Sequence, residues 1–195
     1  MMTFGLTKDL LLAIDPDTRA FTLVGAFMGH FALLEEGINA ALGEVLEVKG
    51  IRRAIVARNM SFDDKIKTLR TLVNTFILNQ SHAKDFDDLA KRARKIGETR
   101  NVVAHTPFRR SAQSDGVEFF AFSASSTLKF IEMDWPIDEF LRQVLLINEI
   151  DNELRSIDSK MAMQRVAQAL INGPGRNGTL ASDQMGGLFG LREEE

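Results

Sequence analysis

A chain of 195 residues with 45% hydrophobic content is long enough to bury one substantial core. Its 24 Lys and Arg stand against 27 Asp and Glu, a formal charge of −3, which argues against a protein that coats nucleic acid with a broadly basic surface. With no cysteine, disulfides and thiolate-held zinc are excluded; the three histidines, His30, His82 and His105, lack metal-ligand spacing, and neither a metal site nor a cofactor is expected.

Near the N-terminus Lys8 and Asp9 interrupt the only apolar run, so no secretion signal is expected there. No stretch is expected to reach the length that spans a bilayer, which makes a cytoplasmic location the default and a membrane no partner. Asp15-Pro16 reads as an N-cap followed by a first-turn proline. A long helix is predicted from there to about Val48, with Val24, Met28, Phe31, Ile38, Leu42 and Val45 on one face and Gly50 as its stop. A short helix follows over Ile51 to Ala57. Ser61, with Asp64 three residues on, caps a second good helix whose inward row is Ile66, Leu69, Val73, Phe76 and Ile77.

A third helix is predicted to begin near Ser81 or Lys84, to turn Phe86, Leu89, Ala93, Ile96 and Val103 inward, and to end before Pro107. The period then changes. Val117 to Ser123 and Thr127 to Met133 are rich in β-branched and aromatic residues and read as a β-hairpin, with a third short strand at Phe108 to Ala112. Asp134-Trp-Pro136 opens a last helix that could reach Asn172, longer than one small bundle can bury. The expected fold is therefore mainly α: a helical bundle over residues 1–172, a small β-hairpin at about 108–133 before the last long helix, and a flexible Gly-rich tail over 173–195.

Two charged residues fall in the apolar rows. The first long helix's row passes through Glu35, and the third helix's passes through Arg100. An unpaired buried charge is very costly, so the two are expected to pair with each other, within the chain or across a dimer. Such a pair could orient Arg100 at the floor of a site, or simply tie two helices together. Arg100 also opens the segment Arg100-Asn-Val-Val-Ala-His105, set in the most basic part of the chain. From residue 91 to 110, Lys91, Arg92, Arg94, Lys95, Arg100, Arg109 and Arg110 face one acid, Glu98, a local balance of +6. A positive patch containing an imidazole is suited to holding a phosphodiester and moving a proton. The blander reading has His105 capping the helix C-terminus and Lys91 to Lys95 forming a solvated face. Arg100 and His105 lie about 140° apart on a regular helix, so they would converge only if the helix end frays or two subunits meet. His30 reads as a packed or surface histidine, and His82 as solvated.

These features resemble the HEPN superfamily of small helical proteins. Arg100-Asn101-Val-Val-Ala-His105 fits that family's Arg-x4–6-His motif with the favoured polar residue after the arginine. The order of elements is similar as well: a long first helix with Phe31-Ala-Leu-Leu-Glu35, then Asp64-Lys-Ile-Lys-Thr-Leu69, then the motif helix. The resemblance covers roughly residues 20 to 108, and the hairpin and last helix are similar to an uncharacterised subgroup whose motif reads Arg-Asn-x-x-Ala-His. It implies a helical bundle that dimerises so that two motif helices line a shared cleft, and in many members a metal-independent endoribonuclease. Carried over by position, His105 would transfer protons, Arg100 would stabilise the phosphate, Asn101 would orient the histidine or the phosphate, and Glu35 would be the accompanying acid. Lys91, Arg92, Lys95 and Arg109 would bind the substrate. The hairpin departs from the simplest family pattern and leaves the substrate class open.

Two readings follow. The first is a homodimeric RNase, a toxin or defence effector, with RNA and a cognate antitoxin or other protein as partners. The second is a non-catalytic helical dimerisation or interaction module. The dimer is expected through the motif helix or the last helix. A cleft location of His105 on the surface favours the first reading, and burial of His105 against Trp135 or other core residues favours the second.

Overall fold

Asp15 caps the longest core helix in the computed structural model of the chain, which describes residues 5–76, 80–124 and 128–171. Its carboxylate accepts from the backbone N–H groups of Asp17 and Thr18, and Pro16 occupies the first helical position. This helix, α2, runs Pro16–Val45; before it lies α1, Lys8–Leu12, a single capped turn that the broken apolar run did not predict. α3 spans Gly50–Arg58, α4 Phe62–Phe76 and α5 Gln80–His105. Three short strands follow, β1 Phe108–Arg110, β2 Val117–Ala124 and β3 Leu128–Trp135, then α6, Ile137–Ile171. The mainly α fold with a small sheet before the last helix is thus the predicted one. Contacts group the chain up to Asp158 into one compact unit, whose packing is described below. The Gly-rich segment 173–195, residues 125–127 and the predicted inward placement of Phe76 and Ile77 lie outside the described residues.

α2 is the central helix, and it buries only half of the row its spacing suggests: Phe31, Ile38 and Leu42 are in the core. Ala20, Leu23, Phe27, Phe31, Leu34, Ile38 and Leu42 are buried, whereas Val24, Met28, Glu35 and Val45 are half-buried. The inner face is centred near Phe27, rotated from the predicted row, and at 100° per residue that small rotation moves Glu35 from the core to its shoulder. α2 also overturns the expectation that no stretch could span a bilayer. It has the length and apolarity to do so, with a mean hydropathy of 1.2 over its most apolar window, 33% of which is buried inside the molecule. Its end lies before Gly50: Val48 N–H returns to Gly43 O, and Glu47 takes the left-handed conformation (φ 56°) that closes helices.

α4 and α5 pack against each other and against α2. Ile66, Leu69 and Val73 of α4 meet Phe86, Leu89, Ala93, Ile96 and Val103 of α5 in the core. Ser61 caps α4 as its spacing predicts, accepting from Asp64 N–H at 3.2 Å while its hydroxyl donates to the Asp64 carboxylate at 2.6 Å. α6 buries Ile137, Phe140, Val144, Ile147, Ile150 and Leu154. His30 is buried, with Nδ1 3.1 Å from Asn148 Oδ1 of α6, so it is the packed histidine; His82 is half-buried rather than fully solvated.

The strands form one antiparallel sheet in the order β1-β2-β3, with Phe108 opposite Phe119 and Val117 opposite Trp135. Its inner end joins the helices through an aromatic cluster. Trp135 meets Phe27, Phe119 and Phe140 edge-on, with ring centroids 5.8, 5.8 and 5.0 Å away. The turn before β2 is tied by Asp134, which accepts from the hydroxyls of Ser111 and Ser114, both at 2.7 Å. Gly116 there lies so close to β3 that a Cβ would stand 1.8 Å from Trp135 O and 2.7 Å from Pro136 Cα. Backbone must move to admit it, so Gly116→Ala should lose about 1–3 kcal/mol in urea unfolding. An unchanged midpoint would contradict this register.

Candidate functional site

Glu35, Arg100 and Asn101 line one cleft of about 470 Å³ between α2, the start of α4 and the last turns of α5. They do not converge as expected. Glu35 Oε1 takes a hydrogen bond from Lys65 Nζ at 2.6 Å, and this, within the chain, replaces the expected Glu35–Arg100 pair. The reason is burial. Only 5% of the Lys65 side chain is accessible, against 26% for Glu35, so the ammonium from α4 has the greater need of a carboxylate. Lys65 was the residue missed. It stands one position from Ile66 and four before Leu69, on the inward side of α4, and that register was the signal.

Arg100 is half-buried and makes different contacts. Its guanidinium carbon lies 5.1 Å from the centroid of the Phe31 ring, and Nη1 donates to Asn101 Oδ1 at 3.1 Å. Its Nε is buried and has no hydrogen-bond partner among the described residues. Phe62, tilted against Phe31 with centroids 4.8 Å apart, packs over Gly97, where a Cβ would come within 2.7 Å of the ring. The small residue one turn before Arg100 thus lets α4 close on α5 and wall the cleft. Asn101 is exposed. His105 is also exposed, as the last residue of α5, but it is not among the residues lining this cleft. Trp135, the residue that could have buried it, is occupied by the aromatic cluster.

The basic stretch is far less positive in the fold than in the sequence. Lys91 pairs with Asp87 at 2.9 Å and Asp88 at 3.1 Å, Arg92 with Glu153 of α6, and Arg94 with Asp63 of α4. Arg109 bonds Glu118 at 2.9 Å and covers the Phe120 ring at 4.7 Å, while Arg110 reaches Asp17 at 3.6 Å. Five of the seven cations therefore face carboxylates, most from other elements. Of these seven, Lys95 and Arg100 are the two that form no ion pair among the described residues. Of the expected substrate-binding residues, Lys91, Arg92 and Arg109 are engaged, and Lys95 stays exposed on the motif helix. Local charge counting missed this because the neutralising acids lie far away in the chain.

The same pairs set an acid limit on the fold. Hydrogen bonds from Lys91 and then Arg70 hold the Asp87 carboxyl below the usual carboxylate range, and those from Lys67, with Arg94 nearby, do the same for Asp63. A depressed folded pKa contributes stability above the unfolded value near 4, and that stability is lost as pH falls through the folded value. Asp87→Asn should therefore destabilise at pH 7 and flatten the loss of stability seen in wild type below about pH 4. Parallel acid limbs for the two proteins would contradict the pairing.

Comparison with known proteins finds no matching family model, no similar curated protein and no similar solved structure.

Proposed function

We propose that this chain is a metal-independent endoribonuclease of the HEPN type that works as a homodimer. One observation carries the reading: the last turns of α5 present an exposed imidazole, His105, within one helical segment of an arginine whose Nε is unused among the described residues. A stacked, half-buried guanidinium is pre-organised for a phosphate oxygen. In the proposed step the RNA 2′-oxygen bonds to phosphorus and the bond to the 5′-oxygen breaks. His105 moves the proton, Arg100 offsets the charge that gathers on the phosphoryl oxygens, and a 2′,3′-cyclic phosphate is left. Asn101, already bonded to Arg100, orients it. Because Arg100 and His105 do not line the same cleft, a second copy is needed to bring two motif segments together. Glu35 acts on the site through Lys65 and the cleft wall, as a positioning residue. A toxin or defence role, held by a cognate antitoxin, is the setting such an activity would fit.

A second reading is favoured by the paired cations: a surface so neutralised suits a non-catalytic helical interaction module. RNA incubated with the purified protein in EDTA separates the two. Cleavage that survives chelation supports the nuclease, and intact RNA at high protein concentration supports the module.

A further inference from the structure

We infer that a second cleft, between α2, α3 and the start of α4, binds a small aliphatic amino acid, its carboxylate on Lys65 and Arg58 and its amine on Asn39. The cleft holds about 340 Å³, at the lower end of the range for small-molecule sites, and the inference stands whether or not RNA is cut. Three cations and two carboxylates line it, a balance of +1. Arg53 reaches Glu36 Oε1 at 3.2 Å, and Lys65 reaches Glu35 Oε1 at 2.6 Å. Arg58 is the cation left over: it is exposed and forms no ion pair among the described residues.

The two ends of the cleft ask for different groups. Arg58 is the last residue of α3 and Lys65 lies in the first turn of α4, so both stand where the chain crosses between these helices. Only 5% of the Lys65 side chain is accessible, and of its three ammonium donors one, to Glu35, is used among the described residues. A buried ammonium short of acceptors is costly, and a carboxylate bridging it to the Arg58 guanidinium supplies them and removes the excess charge. Asn39, one turn along α2 from Glu35 and so about 6 Å further on, has the opposite need. Its Nδ2 donates to Glu36 Oε2 at 3.1 Å, while its Oδ1 is buried with no hydrogen-bond partner. The bond to Glu36 fixes the amide's orientation, because the flipped form would set its oxygen against a carboxylate. An orphaned carbonyl next to a carboxylate suits a protonated amine. A plain anion would satisfy one end and a plain amine the other; an amino acid satisfies both. Between the ends the cleft is walled by Ala32, Ala54 and Ala57, with no ring among the lining residues described, which favours an aliphatic chain over a nucleobase.

Calorimetric titration of the whole protein with alanine, valine, leucine and isoleucine tests the inference. Isovalerate and isobutylamine, which are valine without its amine and valine without its carboxylate, serve as matched probes. At least one of the four amino acids should bind at micromolar to millimolar concentration, and valine should bind about tenfold or more tighter than either matched probe. Because Arg58 is exposed, Arg58→Ala should melt as wild type does and lose about tenfold in affinity for the amino acid. Asn39→Ala should bring valine down toward the affinity of isovalerate. No binding of any of the four at millimolar concentration overturns the inference. So does isovalerate binding as tightly as valine, which would assign the cleft to a plain anion, or undiminished binding by Arg58→Ala. None of these titrations contains RNA, so failure of this site and failure of the nuclease reading are seen separately.

Discussion

His105→Ala should lower RNA cleavage by about 10²–10⁴-fold and leave unfolding almost unchanged. The two halves of that expectation come from different observations. The loss of rate follows if this imidazole moves the proton between the 2′-oxygen and the leaving 5′-oxygen. The unchanged stability follows from its place, exposed at the last residue of α5 and outside the core. If His105 only caps the helix, the same substitution would cost roughly 0.3–1 kcal/mol through the helix dipole and leave any cleavage intact. Rate and urea midpoint measured on one preparation therefore distinguish the two roles. Cleavage at the wild-type rate by His105→Ala would remove the histidine from the mechanism.

Glu35→Ala should be the most damaging change to the fold near the site, costing about 3–5 kcal/mol by leaving the Lys65 ammonium buried without a partner. The value should fall toward the lower end, because Glu35 is 26% exposed and water can enter the space it leaves. Lys65→Ala should cost less, since the carboxylate it abandons can turn to solvent. A double-mutant cycle gives the sharper result: Glu35 and Lys65 should couple by more than about 1 kcal/mol, and Glu35 and Arg100 by less than about 0.5 kcal/mol. Strong coupling of Glu35 to Arg100 would restore the expectation that the two rows' charges meet.

That expectation shows how far the sequence could be read. Caps, breaks and period changes were local, and so Asp15-Pro16, Ser61, Pro107 and the shift to β-rich segments after it located α2, α4, the end of α5 and the sheet. The facing of α2 was not local. The row read from its spacing runs through Glu35, and only the elements packed on it decide that Leu34 is buried and Glu35 is not. Pairing was less legible still. Seven bases between residues 91 and 110 read as a patch, but Asp17, Asp63, Glu118 and Glu153 reach them only once the helices and strands are assembled. Arg100 fell in the right row for the wrong reason: an aromatic ring, Phe31, lies beneath it where a carboxylate was expected.

The chemistry of the RNA ends tests the proposed activity most directly. Wild type incubated with RNA in EDTA should yield 5′-fragments ending in a 2′,3′-cyclic phosphate, formed in proportion to cleavage and absent with His105→Ala. Intact RNA at all protein concentrations, or fragments ending in a 3′-hydroxyl, would contradict it.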